Sequence, residues 1–272
     1  MDSPTRFARL ADGDRVFHAR IEPDGAVREL PGAPWDAPGE PRSPRPMAGL
    51  HRLSPCTPSK IVAVGCNYRA HVAEFARELP AEPLLFMKPP SAILPPGGTI
   101  RLPAESRRVD YEGELAIVIG RRASRVTEDR ALEHVFGYTC LNDVTARDLQ
   151  RRDVQFTRAK GFDTFCPVGP CIAVGIDPSG LKVETYVNGE RRQSSPVSGM
   201  IFGIPKLISF ISGVMTLEPG DLIATGTPDG VGPLEPGDEV RVSIAGIGEL
   251  TNRVEAMEDI PRAARRNAET GS

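Results

Sequence analysis

Closely spaced turn signals in the last third of the chain constrain its fold most. Short polar turn sequences occur at Val187–Glu190, Glu218–Asp221 and Glu235–Asp238. The last two have Pro followed by Gly at their centre, which suits a type II turn. Only short strands fit between these turns, with one helix expected at about 205–212. Many short strands and few helices predict a mostly β (α+β) chain, built as a mixed β-sandwich or roll.

The first 50 residues differ from the rest. Residues 4–30 alternate apolar and polar side chains between Asp-Gly turn signals, which predicts a small strand-and-turn unit. Residues 31–49 contain six prolines, so they predict a linker or an extended surface segment instead of a helix interior or central strand. We therefore expect a small N-terminal β-rich unit with a proline-rich linker over residues 1–50 and a larger domain over residues 51–272.

Composition argues against several classes of partner. The 272 residues carry a formal net charge of −3 and no clustered basic footprint, so we expect no nucleic-acid partner. The apolar stretch Met200–Met215 is too short and interrupted to cross a bilayer. Met1–Arg9 has no apolar h-region, so we expect no secretory signal. Five cysteines without a CxxC pair indicate reduced thiols. These features predict a cytoplasmic protein with no membrane partner.

Glu112 and Glu114 are the first candidate site residues. They lie in a strand predicted over residues 108–120, where alternate side chains share a face and stand about 6.6 Å apart. One interpretation is a solvent-exposed polar stripe. However, Ala116 and Val118 continue the same face, which indicates that it becomes buried. Two carboxylates entering a buried region need a cation or raised pKa values.

Asp143 is a candidate third carboxylate, at the end of a strand predicted over residues 136–142. It is either the N-cap of a helix starting near Thr145 or a partner of the two glutamates. Arg147 and Gln150 follow at helical spacing and are expected on the same face. Three carboxylates with no His or Cys nearby favour a hard divalent ion: Mg²⁺, or else Mn²⁺ or Ca²⁺.

His71 and Glu74 form a candidate pair at i, i+3 on a helix expected from about Asn67 to Leu79, with Asn67 as its N-cap. They are either an exposed surface pair or a catalytic pair. In the catalytic interpretation Glu74 orients the imidazole, and His71 activates water or moves a proton.

Lys160 precedes a glycine, as solvated turn lysines often do. Beside three carboxylates it would stabilise a developing enolate oxygen.

The loop Ala224–Gly232 contains three glycines, but no Lys-Ser/Thr ends it, so it is not a P-loop. It is either a plain hairpin turn or a loop whose backbone amides hold a carboxylate.

Taken together, five segments resemble the fumarylacetoacetate hydrolase family. The matching segments are Gly65–Glu74, Asp110–Leu115, Asn142–Gln150, Lys160–Pro170 and Leu222–Pro228. They have the family's order and spacing and lie within about residues 58–255, whereas residues 1–50 carry no matching motif. The resemblance implies a fumarylacetoacetate hydrolase-like, mostly β catalytic domain over residues 51–272, usually in a homodimer.

The resemblance also implies roles for individual residues. The implied metal ligands are Glu112, Glu114 and Asp143, the implied lid residues are His71 and Glu74, and the residues implied to face the substrate are Lys160, Arg147, Gln150 and Thr227. One departure concerns Val197–Gly199, where family members tend to have a polar Thr-Ser-Asp-like run. It predicts a pocket edge that is less polar or differently shaped.

The family's reactions share an enolate next to a carboxylate, which a divalent ion stabilises. The resemblance therefore implies a small 2-oxo acid substrate and a place in aromatic catabolism. The complete His71–Glu74 pair suits water activation, so the expected reaction is hydrolysis of a C–C bond in an acylpyruvate-type 2,4-dioxo acid through a metal-bound enolate. The alternatives are an isomerase of a hydroxymuconate-like diacid, a decarboxylase of an oxaloacetate-like acid, and a metal-binding scaffold without turnover.

Overall fold

A computed structural model describes residues 3–37, 39–74 and 78–257. In chain order the strands β1 to β19 are Thr5–Asp12, Arg15–Ile21, Val27–Glu29, His51–Leu53, Ile61–Gly65, Leu84–Lys88, Ile93–Leu94, Thr99–Leu102, Val109–Tyr111, Gly113–Ile119, Val135–Asn142, Thr145–Ala146, Cys166–Val174, Lys182–Val187, Glu190–Pro196, Leu222–Ala224, Gly232–Pro233, Glu239–Ile244 and Gly248–Ala256. The helices α1 to α4 are Arg69–Glu74, Arg147–Arg152, Thr157–Lys160 and Ile204–Val214. The 3₁₀ turns are Pro34–Asp36, Pro90–Ala92, Glu128–His134, Pro178–Gly180 and Val197–Gly199.

These strands form three sheets. The largest has the order β3-β2-β1-β13-β11-β10-β16-β5-β6, with β4 beside β1 and β7 beside β13. A second sheet has the order β15-β14-β18-β19-β8, and a small third sheet has the order β12-β9-β17. Most pairs are antiparallel, whereas β5 with β16, β7 with β13 and β8 with β19 are parallel. The mostly β fold class predicted from the sequence is confirmed.

Strand β10 separates two hydrophobic cores. Leu115, Ile117 and Ile119 pack in the core that also contains side chains of β18 and α4. Ala116 and Val118 face the opposite side, in a core shared with β5 and β16. All five side chains are fully buried. Burial on both faces explains why this strand is apolar almost throughout, and it confirms the predicted alternation of faces.

Helix α4 covers the first of these cores. Its buried residues include Ile204, Leu207, Ile208 and Ile211, at the spacing of one helical face. Pro205 occupies the first turn, where its missing amide hydrogen costs the helix nothing. The helix expected at about 205–212 is therefore present and slightly longer. In the part of the chain described above, no helix is long and apolar enough to cross a membrane.

The N-terminal strands continue the largest sheet. Strand β1 pairs with β2 on one side and with β13 on the other, where Phe7 is opposite Ile172. The side chains of Leu10, Phe17 and Val27 contribute to a separate small core at this end of the sheet. The division of the chain at residue 50 stays a prediction.

Helix α1 differs from its prediction. It begins at Arg69, and Glu78 and Leu79 are not helical; residues 75–77 lie outside the described part. Asn67 does not cap it. The Asn67 side chain instead donates to the carbonyls of Phe202 and Thr225 and accepts from the Phe202 amide. Tertiary hydrogen bonds therefore replace the local cap expected from the sequence, and they fix the segment that leads into α1.

Candidate active site

The three carboxylates predicted as metal ligands lie together in the interior. Glu112 stands in the one-residue break between β9 and β10, Glu114 lies in β10, and Asp143 directly follows β11. One carboxylate oxygen from each lies within 4.8 Å of the others. All three residues are buried. Asp143 is not part of helix α2, whose N-cap residue is Ala146, so the N-cap interpretation of Asp143 does not hold.

Backbone contacts at the end of the β10–β11 pair fix these side chains. Gly113 is opposite Asn142. The Glu112 amide donates to Asn142 Oδ1 at 2.9 Å, and the Asp143 amide donates to the Glu112 carbonyl at 2.8 Å. A Cβ at Gly113 would lie 2.0 Å from Thr185 Oγ1. Glycine between the two glutamates therefore lets β14 approach the site closely.

Two buried lysines surround Asp143. Lys160 Nζ donates to Glu112 Oε2 at 2.8 Å and to Asp143 Oδ2 at 2.5 Å. Lys88 Nζ donates to Asp143 Oδ1 at 2.6 Å and to the carbonyls of Val144 and Lys160, at 3.2 and 2.7 Å. Lys160 was predicted for the site from the sequence, whereas Lys88 was not. The available signal was the scarcity of lysine, since only 5 of the 33 basic residues are lysines.

Arg147 connects the acidic group to helix α2. Its Nε donates to Asp110 Oδ2 at 2.9 Å, one terminal nitrogen donates to Gln150 Oε1 at 2.7 Å, and the other donates to Glu112. Arg108 also donates to Asp110, whose side chain is fully buried. Asp110 therefore positions Arg147. Asp110 lies in one of the five segments that resemble the family, but no role for it was predicted from the sequence.

Thr227 lies beside the carboxylates, and together with them it lines a cavity. Its hydroxyl donates to the Gly113 carbonyl at 2.9 Å and accepts from Gln193 Nε2 at 2.8 Å. The neighbouring Gly226 amide donates to Glu114 Oε2 at 2.8 Å. Of the two interpretations of this loop, a plain hairpin turn or a loop whose amides hold a carboxylate, the second describes this contact, and the carboxylate is the protein's own Glu114. Gln193 was not identified from the sequence.

His71 and Glu74 lie on α1, above the carboxylates. His71 Nδ1 is 3.4 Å from Glu74 Oε2, and the side chains are 10% and 35% exposed. Burial lowers the pKa of His71, and the attraction of Glu112 and Glu74 opposes this only in part. The imidazole is therefore mainly neutral at neutral pH, the form that accepts a proton. The lid motion predicted for this helix stays a prediction.

Burial and charge move the pKa values of the two glutamates in opposite directions. Burial raises the pKa of Glu114 well above its ordinary range, and repulsion from Asp143 and Glu112 adds to the effect. Burial also acts on Glu112, but the positive charges of Lys160 and Arg147 outweigh it and hold its pKa well below the usual range. Glu114 is thus the carboxylate whose charge is least compensated.

The group of donors fits a divalent cation. Three carboxylates offer hard oxygen ligands, which suit Mg²⁺, Mn²⁺ or Ca²⁺. Within the described residues no cationic side chain forms an ion pair with Glu114, although it is buried. A buried carboxylate is unfavourable without a compensating charge, and a cation shared by the three groups would provide one.

The cavity above these groups has a charged floor and a partly apolar wall. Glu112, Glu114, Asp143 and Lys160 lie at the floor, and Leu84, Phe86 and Phe156 line the wall. His71, Arg147, Gln150 and Thr227 also line it. Every residue predicted for the site except Glu74 therefore borders this one cavity. The Val197–Gly199 turn does not line this cavity. Val197 is instead buried in the core that helix α4 covers.

This arrangement is a buried, carboxylate-lined candidate site for a divalent cation on a β-rich scaffold. Residues 60–255 match the family model described as "Fumarylacetoacetate (FAA) hydrolase C-terminal". The chain belongs to the fumarylacetoacetate hydrolase family, and it is one of the family's enzymes. The resemblance drawn from the five segments is thereby confirmed.

Three similar proteins show the range of activities among relatives. Oxaloacetate tautomerase YisK of Bacillus subtilis (strain 168) is 42% identical over 259 residues, covering 90% of this chain and 84% of that protein. The crystal structure of the 5-carboxymethyl-2-hydroxymuconate delta-isomerase of Mycobacterium smegmatis is 47% identical in sequence. The match covers 93% of this chain and 100% of that chain, with a TM-score of 0.87. The structure of the fumarylpyruvate hydrolase of Pseudomonas aeruginosa, in complex with Mn²⁺ and pyruvate, is 33% identical in sequence. The match covers 76% of this chain and 92% of that chain, with a TM-score of 0.70.

Proposed function

We propose that this chain is a divalent-metal-dependent enzyme that moves a proton between carbon and oxygen of a small 2-oxo acid, interconverting its keto and enol forms. The observation that carries the proposal is one cavity that is lined by the His71 imidazole, by the carboxylates of Glu112, Glu114 and Asp143, and by the Lys160 ammonium group. The tautomerase and isomerase named among the similar proteins support the same class of reaction.

The metal ligands in this proposal are Glu112, Glu114 and Asp143. The ion, Mg²⁺ or Mn²⁺, would act as a Lewis acid that lowers the energy of negative charge on the substrate's oxygens. Mn²⁺ in the Pseudomonas aeruginosa hydrolase supports a divalent ion at this site. Ca²⁺ fits the same oxygen donors.

The proton transfer uses the chain's own groups. His71 removes a proton from the carbon next to the 2-oxo group, and Glu74 stabilises the imidazolium that forms. The electron pair of the broken C–H bond forms the new C=C bond, and the π pair of the C=O bond moves to the 2-oxo oxygen, where the Lys160 ammonium stabilises the negative charge. A solvent proton then completes the enol, and His71 releases the proton that it took to solvent. Arg147 and Gln150 bind the substrate carboxylate, and Thr227 holds the floor in place.

Hydrolysis of a C–C bond is the second candidate. The fumarylpyruvate hydrolase bound to Mn²⁺ and pyruvate favours it, and it is the reaction expected from the sequence. In that reaction the same His71–Glu74 pair takes a proton from water instead of from carbon. Decarboxylation of an oxaloacetate-like acid and a scaffold without turnover are the remaining alternatives.

A paired assay tests this proposal. Enol absorbance of oxaloacetate is followed with Mg²⁺ or Mn²⁺ and with EDTA, while pyruvate release is measured from acetylpyruvate and oxaloacetate. Metal-dependent loss of enol absorbance without pyruvate release supports the tautomerase. Pyruvate release from acetylpyruvate without tautomerisation supports the hydrolase, and release from oxaloacetate supports a decarboxylase. No turnover in any assay would overturn the proposal in favour of the scaffold.

The homodimer, the cytoplasmic location and the place in aromatic catabolism also stay predictions. Light scattering on the purified protein tests the first of these.

A further inference from the structure

Arg151 stands at the outer edge of the active-site cavity. It follows Gln150 in helix α2 and is exposed, yet it lines the same cavity as Glu112 and Lys160. A cation at the cavity mouth lies on the path of a substrate whose reacting end is held at the floor. Nothing in the mechanism proposed above uses this side chain.

The neighbouring arginines are engaged differently. Arg158 pairs with Asp153 at 2.5 Å, and Arg152 lies 3.8 Å from the same carboxylate. Neither lines the cavity. In the described segments Arg151 makes no ion pair and no side-chain hydrogen bond. Asp153 therefore compensates the two arginines outside the cavity, whereas the guanidinium at the cavity is available to a ligand.

The charges at the floor leave a second substrate carboxylate without a partner. Four buried carboxylates, Asp110, Glu112, Glu114 and Asp143, lie with three buried cations, Lys88, Lys160 and Arg147. These groups sum to −1 when all are ionised, and a divalent cation brings the sum to +1. One substrate carboxylate compensates that charge. A second carboxylate therefore needs a cation of its own, and Arg151 lines the cavity where that cation would stand.

We infer that Arg151 is a specificity-determining residue that binds the distal carboxylate of a dicarboxylic 2-oxo acid. The inference rests on the proposed function, which places the 2-oxo end of the substrate at the floor. Phe86 and Phe156, whose ring centroids are 5.7 Å apart, line the wall of the same cavity and suit the carbon chain between the two ends. A guanidinium pairs with a carboxylate in bidentate geometry, so it selects for substrates that carry one there.

Malate and lactate provide a direct test. They share a 2-hydroxy carboxylate end, and only malate has a distal carboxylate. Calorimetry with the Mn²⁺-loaded protein measures both dissociation constants for the unaltered chain, Arg151→Gln, Arg151→Lys and the matched control Arg152→Gln. We expect the unaltered chain to prefer malate, and Arg151→Gln to weaken malate binding by roughly two- to fivefold, as for a partly exposed ion pair. Lactate binding should stay constant.

The two controls separate charge from structure. Arg151→Lys keeps the charge and should retain part of the preference for malate, and Arg152→Gln should retain all of it. An unchanged preference in Arg151→Gln, or an equal loss in Arg152→Gln, overturns the role of Arg151 while keto–enol turnover still supports the proposed function. Absence of binding by both acids together with absence of turnover overturns the proposed function, and the inference with it.

Discussion

Lys88 Nζ lies 2.6 Å from Asp143 Oδ1, and neither side chain has appreciable exposure. The three hydrogen bonds of the ammonium group go to this carboxylate and to two backbone carbonyls. An ammonium has three N–H groups, so Lys88 has no donor left for a substrate. Lys160 also contacts Asp143 but faces the cavity. Lys88 is therefore a positioning residue, and Lys160 is the lysine able to meet the substrate.

Lys88→Met should destabilise the protein strongly. The change keeps the length of the side chain but leaves Oδ1 of the buried Asp143 carboxylate and two carbonyls without the ammonium that donates to them. Breaking a buried pair in this way costs about 3–5 kcal/mol, measured as the free energy of urea unfolding in EDTA. Lys182→Met is the matched control, because Lys182 forms an exposed pair with Glu184 at 3.3 Å, and it should change stability by less than about 1 kcal/mol. Equal effects in the two variants contradict the positioning role.

Local pattern was sufficient for the parts of the site that lie along one strand. The alternation from Glu112 to Val118 predicted which side chains share a face, and the structure has that arrangement. Asp143 was placed at a strand end for the same reason. The break at Glu112 was not predicted, because it depends on the pairing of β9 with β12 and β17 in a separate sheet.

Groups joined across long stretches of chain could not be predicted. Lys88 reaches Asp143 across 55 residues, and Arg147 reaches Asp110 across 37. Neither contact has a local sequence signature. Asn67 shows the same limit, because its local preference for a helix N-cap is outweighed by hydrogen bonds to Phe202 and Thr225.

Glu114→Gln should weaken metal binding. The substitution keeps the shape and removes one negative charge from the proposed ligand group. Affinity for Mn²⁺ should fall by at least about 10- to 100-fold, which is the cost of changing only a residue that holds a metal ligand in place. Calorimetric titration of the EDTA-treated protein measures this, and excess metal should restore part of the activity. Glu133→Gln, at an exposed residue paired with Arg130, should bind Mn²⁺ like the unaltered chain. Unchanged affinity in Glu114→Gln contradicts the ligand assignment.

Glu114 should also make the metal-free protein less stable as pH rises. Its folded-state pKa is raised, so its contribution to stability is fully present below the ordinary glutamate pKa of about 4.3 and is lost as pH rises through the folded value. The contribution of Glu112 to stability depends on pH in the opposite direction. Because its folded-state pKa is lowered, this contribution is lost only in strong acid. The Glu114 contribution to the unfolding free energy in EDTA, measured as the difference between the unaltered chain and Glu114→Gln, should therefore decline from weakly acidic to alkaline pH. An identical slope in both proteins contradicts the expectation.

Cys66 should be the cysteine that reacts first in the native protein. The other four are buried, whereas Cys66 is half-buried and lines the cavity. Burial raises the pKa of Cys171 to about 11 and that of Cys166 to about 12, which keeps these thiols protonated and unreactive. Peptide mapping after brief iodoacetamide treatment should find the label at Cys66 together with loss of activity. Cys66→Ser should resist inactivation, and equal labelling of several cysteines contradicts the assignment.

His71→Ala should lower turnover without weakening metal binding. The carboxylates are unchanged, so affinity for Mn²⁺ should match that of the unaltered chain. Loss of a general base costs about 10²–10⁴ in rate, and added metal should not restore it. His51→Ala, at an exposed histidine, is the control and should leave the rate unchanged.

Decarboxylation of oxaloacetate needs no water nucleophile, so any such activity should survive in part in His71→Ala if His71 serves only to activate water. Equal loss of tautomerisation, hydrolysis and decarboxylation would show that His71 moves protons or positions the substrate in every reaction. An unchanged tautomerisation rate would remove the His71–Glu74 pair from the mechanism and leave Lys160 and the metal site as the catalytic groups.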